Sequence, residues 1–353
     1  MPTSINLRAK GGFLIAHRAN MAHLPGKNTK AYELEFTKQD TTHNGWNDVY
    51  KNPLKGLSIQ YQDMGNREVI GVGFSIFAHT TFPLIQRPKF GFLDFRMGTG
   101  MGFLTKRYHP EINPKNNAIG SYMNGFVNLG FHWHKYFEHW HIGMSLDFNH
   151  YSNSSMVVPN LGLNVPSLGV SIGYDINSRY LYSWDKQKAI ECSVQNEDYN
   201  IRMAQHLRIF VIGSAKQAVP IALEPRSRPV VGISALYSIK TGRRWKVDFG
   251  LDAIYNRSNA FRHDTLSHSF GRTVQFGAYV GSSIHYNKAE FALGLGVYFY
   301  SPVHPYGYIY NRLGFRYHFT EKLSGIIGIK AHLAIADYLE IGIGYKLWQG
   351  KCK

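Results

Sequence analysis

Along most of the chain, bulky apolar residues occupy every second position. In AEFALGLGVYFY, residues 289–300, Phe291, Leu293, Leu295, Val297 and Phe299 alternate with Ala292, Gly294 and Gly296. LEIGIGYKL, residues 339–347, sets Leu339, Ile341, Ile343 and Tyr345 against Glu340, Gly342, Gly344 and Lys346. Successive side chains of a strand point to opposite faces, so a period of two predicts strands. No segment shows a clear helical period. One face is apolar and the other small or polar, the pattern of a strand set between lipid and a barrel interior. Soluble sandwiches alternate too, but their strands usually run about five or six residues. Many segments here run past ten.

The pattern predicts about sixteen strands, near 8–18, 30–38, 55–62, 69–81, 89–101, 118–134, 138–152, 162–176, 206–217, 228–241, 243–256, 270–285, 288–300, 307–319, 322–334 and 337–347. Fourteen remain if two of the shorter ones are loops. The expected fold is all-β: a transmembrane antiparallel outer-membrane β-barrel of about 14–16 strands, a single domain over residues 1–353. An even strand count returns both termini to the periplasmic side. The short turns KTGR (240–243) and FTEK (319–322) then fall on that side, and NRSNAFRHDTLSHS (256–269) falls outside. A long connecting segment, 177–205, falls on the periplasmic side against the rule. No repeat is strong enough for a solenoid or propeller.

Composition sharpens this picture. Aromatic residues make up 14% of the chain, charged residues only 18%, and there are 35 glycines. No stretch of eighteen apolar residues exists for a spanning helix. The N-terminal MPTSINLRAKGG has no apolar core with a cleavage site, so an exported protein would be numbered here in mature form. The net charge of +16 comes without a zinc-finger spacing, RNA-stacking motif or basic helix. An anionic membrane surface fits it better than nucleic acid. Cys192 and Cys352 exclude a disulfide scaffold, and either pair or stay free.

Candidate chemistry lies in HYSNSSMVVPNLGLN, residues 150–164. In the seventh strand, EHWHIGMSLDFNHYSN (138–153), the even row Trp140, Ile142, Met144, Leu146 and Phe148 is apolar, and His150 and Ser152 continue it. The odd row, His139, His141, Gly143, Ser145, Asp147 and Asn149, faces the lumen. In the eighth strand Asn164 shares the apolar row of Leu168, Val170, Ile172 and Tyr174. Three polar residues thus meet on the outer wall at headgroup depth, where polar groups are costly unless paired or used. Histidine is the usual base for a serine nucleophile, and a third polar group would fix its tautomer. Asn153 and Asn160 would donate to an oxyanion, and an outer-leaflet lipid ester would arrive laterally.

These residues resemble the lipid A 3-O-deacylases, outer-membrane barrels grouped with the acyloxyacyl hydrolases. The resemblance is carried by His150-Tyr151-Ser152-Asn153, then Pro159-Asn160, Gly162 and Asn164 in the family's spacing. It implies His150 as general base, Ser152 as nucleophile, and Asn160 and Asn153 on the oxyanion side, with no cofactor. The expected partner is lipid A or lipopolysaccharide of the outer leaflet, and Lys106, Arg107 and Lys115 in loop 102–117 would meet its phosphates or stand as a solvated loop. Asn164 departs from the family, whose best-described members carry glutamate there. An amide can hold a histidine tautomer but cannot offer an imidazolium the same charge. The short members are eight-stranded barrels; the motif here sits within residues 1–178. The whole chain, with AHRANMAHL (16–24), GTGMGFLTK (98–106) and ADYLEIGIGYKL (336–347), resembles longer Bacteroidota-type variants.

The alternative is a catalytically inactive barrel serving as a structural or assembly subunit of an outer-membrane complex. A channel is disfavoured if lumen charges such as Asp94, Arg96, Asp147 and Glu340 pair and plug the interior. FHWHKYFEHWH, residues 131–141, places His132, His134, His139 and His141 on lumen parity, where four imidazoles would converge on a metal ion. The competing reading is an aromatic girdle with solvated histidines. The glycines of GTGMG (98–102) lie within a strand and predict close packing, not a phosphate loop.

Overall fold

The computed structural model describes residues 3–39, 47, 49–87, 89–176, 204–217, 226–242, 244–261, 270–304, 306–333 and 335–350. Eight strands come first: β1 (Thr3–Gly12), β2 (Thr29–Gln39), β3 (Leu54–Asp63), β4 (Val72–Arg87), β5 (Gly91–Leu104), β6 (Met123–Phe137), β7 (Trp140–Ser152) and β8 (Leu163–Asp175). Eight more follow: β9 (Gln205–Gln217), β10 (Ser227–Lys240), β11 (Trp245–Asn256), β12 (Val274–Tyr286), β13 (Ala289–Tyr300), β14 (Ile309–His318), β15 (Leu323–His332) and β16 (Ile335–Gln349). Strand number and alternation agree with the sequence. The segment 177–205 lies almost wholly outside the described residues, as do Cys192 and Cys352.

The strands close as two rings. β8 returns to β1, with Ile172 opposite Leu7, and β16 returns to β9, with Ile343 opposite Val211. The expected single ring over 1–353 is corrected to two eight-stranded barrels. Alternation assigns each strand its faces, but every strand edge offers the same backbone donors and acceptors, so the pattern does not say which neighbour takes the last one. The first strand also moves, from the expected 8–18 to Thr3–Gly12. That register sets Arg8 opposite Glu33 and Asn6 opposite Glu35. Leu14 then leaves the sheet for a buried apolar cluster.

Outside, the apolar rows stay bare: Leu146 is 52% exposed, Leu168 68% and Ile343 62%. Rows this continuous belong in lipid rather than water. Inside, eight strands leave a lumen just wide enough for side chains to fill. In the first barrel Glu33 takes Arg96 at 2.6 Å, Lys10 at 2.5 Å and Arg8 at 3.3 Å. Arg96 also reaches Asp147 at 3.1 Å. In the second, Arg312 spans Asp252 at 2.6 Å and Glu340 at 2.9 Å. Removing one partner from such a buried network costs about 3–5 kcal/mol, because the charge left behind has no solvent. Asp94, Arg96, Asp147 and Glu340 all pair inward, the arrangement that disfavours a channel.

Candidate active site

The site is built at the end of the first barrel where β7 passes to β8. Along β7 the row from Trp140 to Phe148 faces out and the row from His141 to Asn149 faces in. His150 and Ser152 continue the outward row. Tyr151 between them points inward and is 0% exposed. Its ring stands edge-on to Phe126 at 4.9 Å, and its hydroxyl accepts a hydrogen bond from Ser75 Oγ at 3.0 Å. A Cβ on Gly102 would lie 2.7 Å from the Tyr151 ring, so a glycine of GTGMG makes room for it. This pin sits in an apolar cap with Leu14, Met21, Leu24, Leu104 and Phe126. Apolar closure of the lumen therefore fixes the backbone that carries the two outward polar groups.

Asn164 lies directly across the β7–β8 ladder from His150, and its Oδ1 is 2.6 Å from His150 Nδ1. Its Nδ2 lies 3.2 Å from Nδ1 of His17, whose Nε2 lies 3.1 Å from the Leu161 carbonyl oxygen. Gly162 has φ +81°, and a Cβ there would lie 2.8 Å from His150 Cε1. Only glycine allows both that backbone and that approach to the imidazole.

Asn160 is held by a bridge to Ile119 and by Leu161 N–H donating to Ala118 O at 2.8 Å. Its Oδ1 accepts from the Asn153 backbone N–H at 2.9 Å. The same amide meets Ser152 Oγ at both ends: Nδ2 donates to it at 3.0 Å, and Oδ1 accepts from it at 3.1 Å. Ser152 is 7% exposed. The Asn153 side chain turns elsewhere, its Nδ2 donating to Ser121 Oγ at 2.7 Å. Ser152, His150, Asn164 and Asn160 thus share one patch, while the amide of Asn153 is committed to Ser121. The patch can present a hydroxyl, an imidazole with an oriented Nδ1, and one amide donor beside the hydroxyl. His17, Ser121 and Tyr151 were not assigned roles from the sequence; only the piece AHRANMAHL marked the neighbourhood of His17.

The four histidines of residues 131–141 meet separate partners. His132 lies between Arg8 and Asp147, His134 meets Asp94 at 2.6 Å, and His141 faces Asp175 at 3.6 Å. His139 occupies the turn and stacks on the outward Tyr174. Carboxylates from other strands claim the lumen imidazoles one by one, and among the described residues no set of three or more ligands is placed to hold a metal ion. In the outer loop, Lys106 donates to Glu68 O at 2.7 Å and Arg107 lies over the Tyr122 ring at 5.1 Å. Lys106, Arg107 and Lys115 all remain exposed.

Two family models match the chain. The one described as lipid A 3-O-deacylase (PagL) matches residues 30–175, and the one described as acyloxyacyl hydrolase, C-terminal domain, matches residues 205–349. Each falls on one of the two barrels. Among solved structures, the outer membrane enzyme PagL is 14% identical, covering 47% of this chain and 97% of its own, with a TM-score of 0.33. A triple mutant of Rhodopseudomonas blastica porin is 6% identical, covering 98% of this chain and 100% of its own, with a TM-score of 0.19. Neither likeness carries an argument about chemistry. No curated protein matches.

Proposed function

Since the chain belongs to the lipid A 3-O-deacylase and acyloxyacyl hydrolase family of bacterial outer-membrane β-barrels, we propose that it removes an ester-linked acyl chain from lipid A by a Ser–His mechanism at its lipid-facing rim. One observation carries the reading: His150 and Ser152 share the outward row of β7, and each has an amide in contact, Asn164 at 2.6 Å and Asn160 at 3.0 Å. With Nδ1–H donated to Asn164, His150 keeps its Nε2 lone pair for the Ser152 proton. Ser152 Oγ attacks the ester carbonyl, and Asn160 Nδ2 turns from the hydroxyl to the oxyanion. Collapse releases the sugar hydroxyl, which takes the proton back from His150. Water, deprotonated by His150, then frees the acyl chain as a fatty acid. Lipid A sits in the outer leaflet, so a site on the outer wall receives it without passage through the plugged lumen.

The reading as an inactive subunit of a larger complex has its own support, an amide at position 164 and a Ser152 that is 7% exposed. Mass spectrometry of lipid A incubated with purified protein, beside Ser152→Ala, decides between them. The proposal expects loss of one hydroxyacyl chain with wild type and at least a thousandfold slower loss with the variant. Unchanged lipid A from a barrel that still shows heat-modifiable migration would overturn it.

A further inference from the structure

The contacts from Leu161 to His150 form a chain whose polarity is set at one end. The Leu161 oxygen is a backbone carbonyl and can only accept, so His17 Nε2 must carry the proton across their 3.1 Å contact. A neutral imidazole protonated at Nε2 has Nδ1 as an acceptor. Asn164 therefore turns Nδ2 toward His17 and Oδ1 toward His150, the orientation found here at 3.2 and 2.6 Å. His150 must then donate from Nδ1, which leaves its Nε2 lone pair for the serine. A carboxylate at 164 would accept from His150 whichever way it turned. An amide has two unlike ends, and something must decide between them.

We propose that His17 is a positioning residue that selects the reactive tautomer of His150 by fixing which way the Asn164 amide faces. This rests on the Ser–His reading above. The Leu161 carbonyl is a firm reference point, since the N–H groups of Leu161 and Gly162 are both anchored on Ala118 O and the neighbouring Asn160 is bonded to Ser152. His17 follows Ile15, which bridges to Asn164 on the opposite side of that residue from β7. The β1–β2 connection thus supplies what the β7–β8 hairpin lacks. In this chain the acid of the usual arrangement is replaced by an amide together with a second imidazole.

The test compares wild type, His17→Phe, His17→Gln, Asn164→Glu and the double variant His17→Phe/Asn164→Glu. Two measurements are made on micelle-solubilised full-length protein. ¹⁵N NMR reads the tautomer of His150, whose signals are assigned by their loss in His150→Gln, and mass spectrometry reads lipid A deacylation. Wild type should show Nδ1-protonated His150, and His17→Phe a mixture of tautomers with deacylation slowed about 10- to 100-fold. Glutamine offers an acceptor to Asn164 and should restore most of both. In the Asn164→Glu background, His17→Phe should cost no further activity. An unchanged His150 tautomer in folded His17→Phe overturns the proposal, and so does an equal loss with glutamate at 164. If no variant nor wild type deacylates lipid A, the Ser–His reading fails while the tautomer measurement still decides the role of His17.

Discussion

The two barrels invite comparison at the same point, the hairpin joining the seventh strand of each to the eighth. In the first, residues 153–162 separate β7 from β8 and bring Asn153, Asn160 and Gly162 back over the rim. In the second, only residues 333 and 334 separate β15 from β16. There the seventh strand ends on a histidine, where β7 has its histidine two residues before its end. It points the other way: His332 is 6% exposed, sits 2.8 Å from the Ile309 carbonyl through Nδ1 and faces Asp337 at 3.5 Å. One strand thus carries its histidine on the outer wall and the other carries its own in the lumen. The difference is one of strand parity and loop length. A reactive rim needs an outward histidine and enough chain beyond it to return polar partners.

Substitutions at the two rims separate these roles. The largest effect below that of losing the serine falls to Asn160→Ala, which removes the single amide aimed at Ser152 Oγ. Its deacylation rate should drop about 10²–10³-fold, and loss of the acceptor for the Asn153 N–H should cost about 1–3 kcal/mol of stability. A drop below tenfold in a steady-state lipid A assay would remove Asn160 from the oxyanion role. Next comes Gly162→Ala. The added methyl meets His150 Cε1 at a φ of +81°, so either the imidazole or the loop must shift. Strain of this kind costs about 1–3 kcal/mol, and the expected loss of rate is about tenfold or more. Unaltered kinetics with an unaltered melting curve would mean that the imidazole does not depend on this approach. The smallest effect belongs to His332→Leu in the second barrel. The buried contacts to the Ile309 carbonyl and to Asp337 are lost, which lowers stability by about 1–3 kcal/mol in melting experiments, and deacylation should not change. A slower reaction would show that the two rims are not separate in function.

Much of this organisation was legible in the sequence, for identifiable reasons. Alternation located the strands because lipid and a plugged lumen demand opposite side chains at every second residue. The same alternation put His150, Ser152 and Asn164 on one face, since parity survives errors of a few residues at strand ends. The register of β1 was not legible: it depends on Arg8 and Asn6 meeting Glu33 and Glu35 of a strand that follows a loop. Nor was ring closure, which is decided by pairings between Leu7 and Ile172 and between Val211 and Ile343. His17 was missed because its contact with Asn164 joins positions 147 apart. The pairing of the lumen histidines was not legible, because their partners Asp94 and Asp175 come from β5 and β8, outside the hairpin.

Closure of β8 on β1 also bears on how such a chain can change over time. A barrel that completes its own backbone pairing exposes no edge to a newcomer and needs none from it. A second barrel can then be added, lost or exchanged at the gene level without unpairing a single strand of the first. Backbone pairing therefore sets no link between the sequences of the two rings.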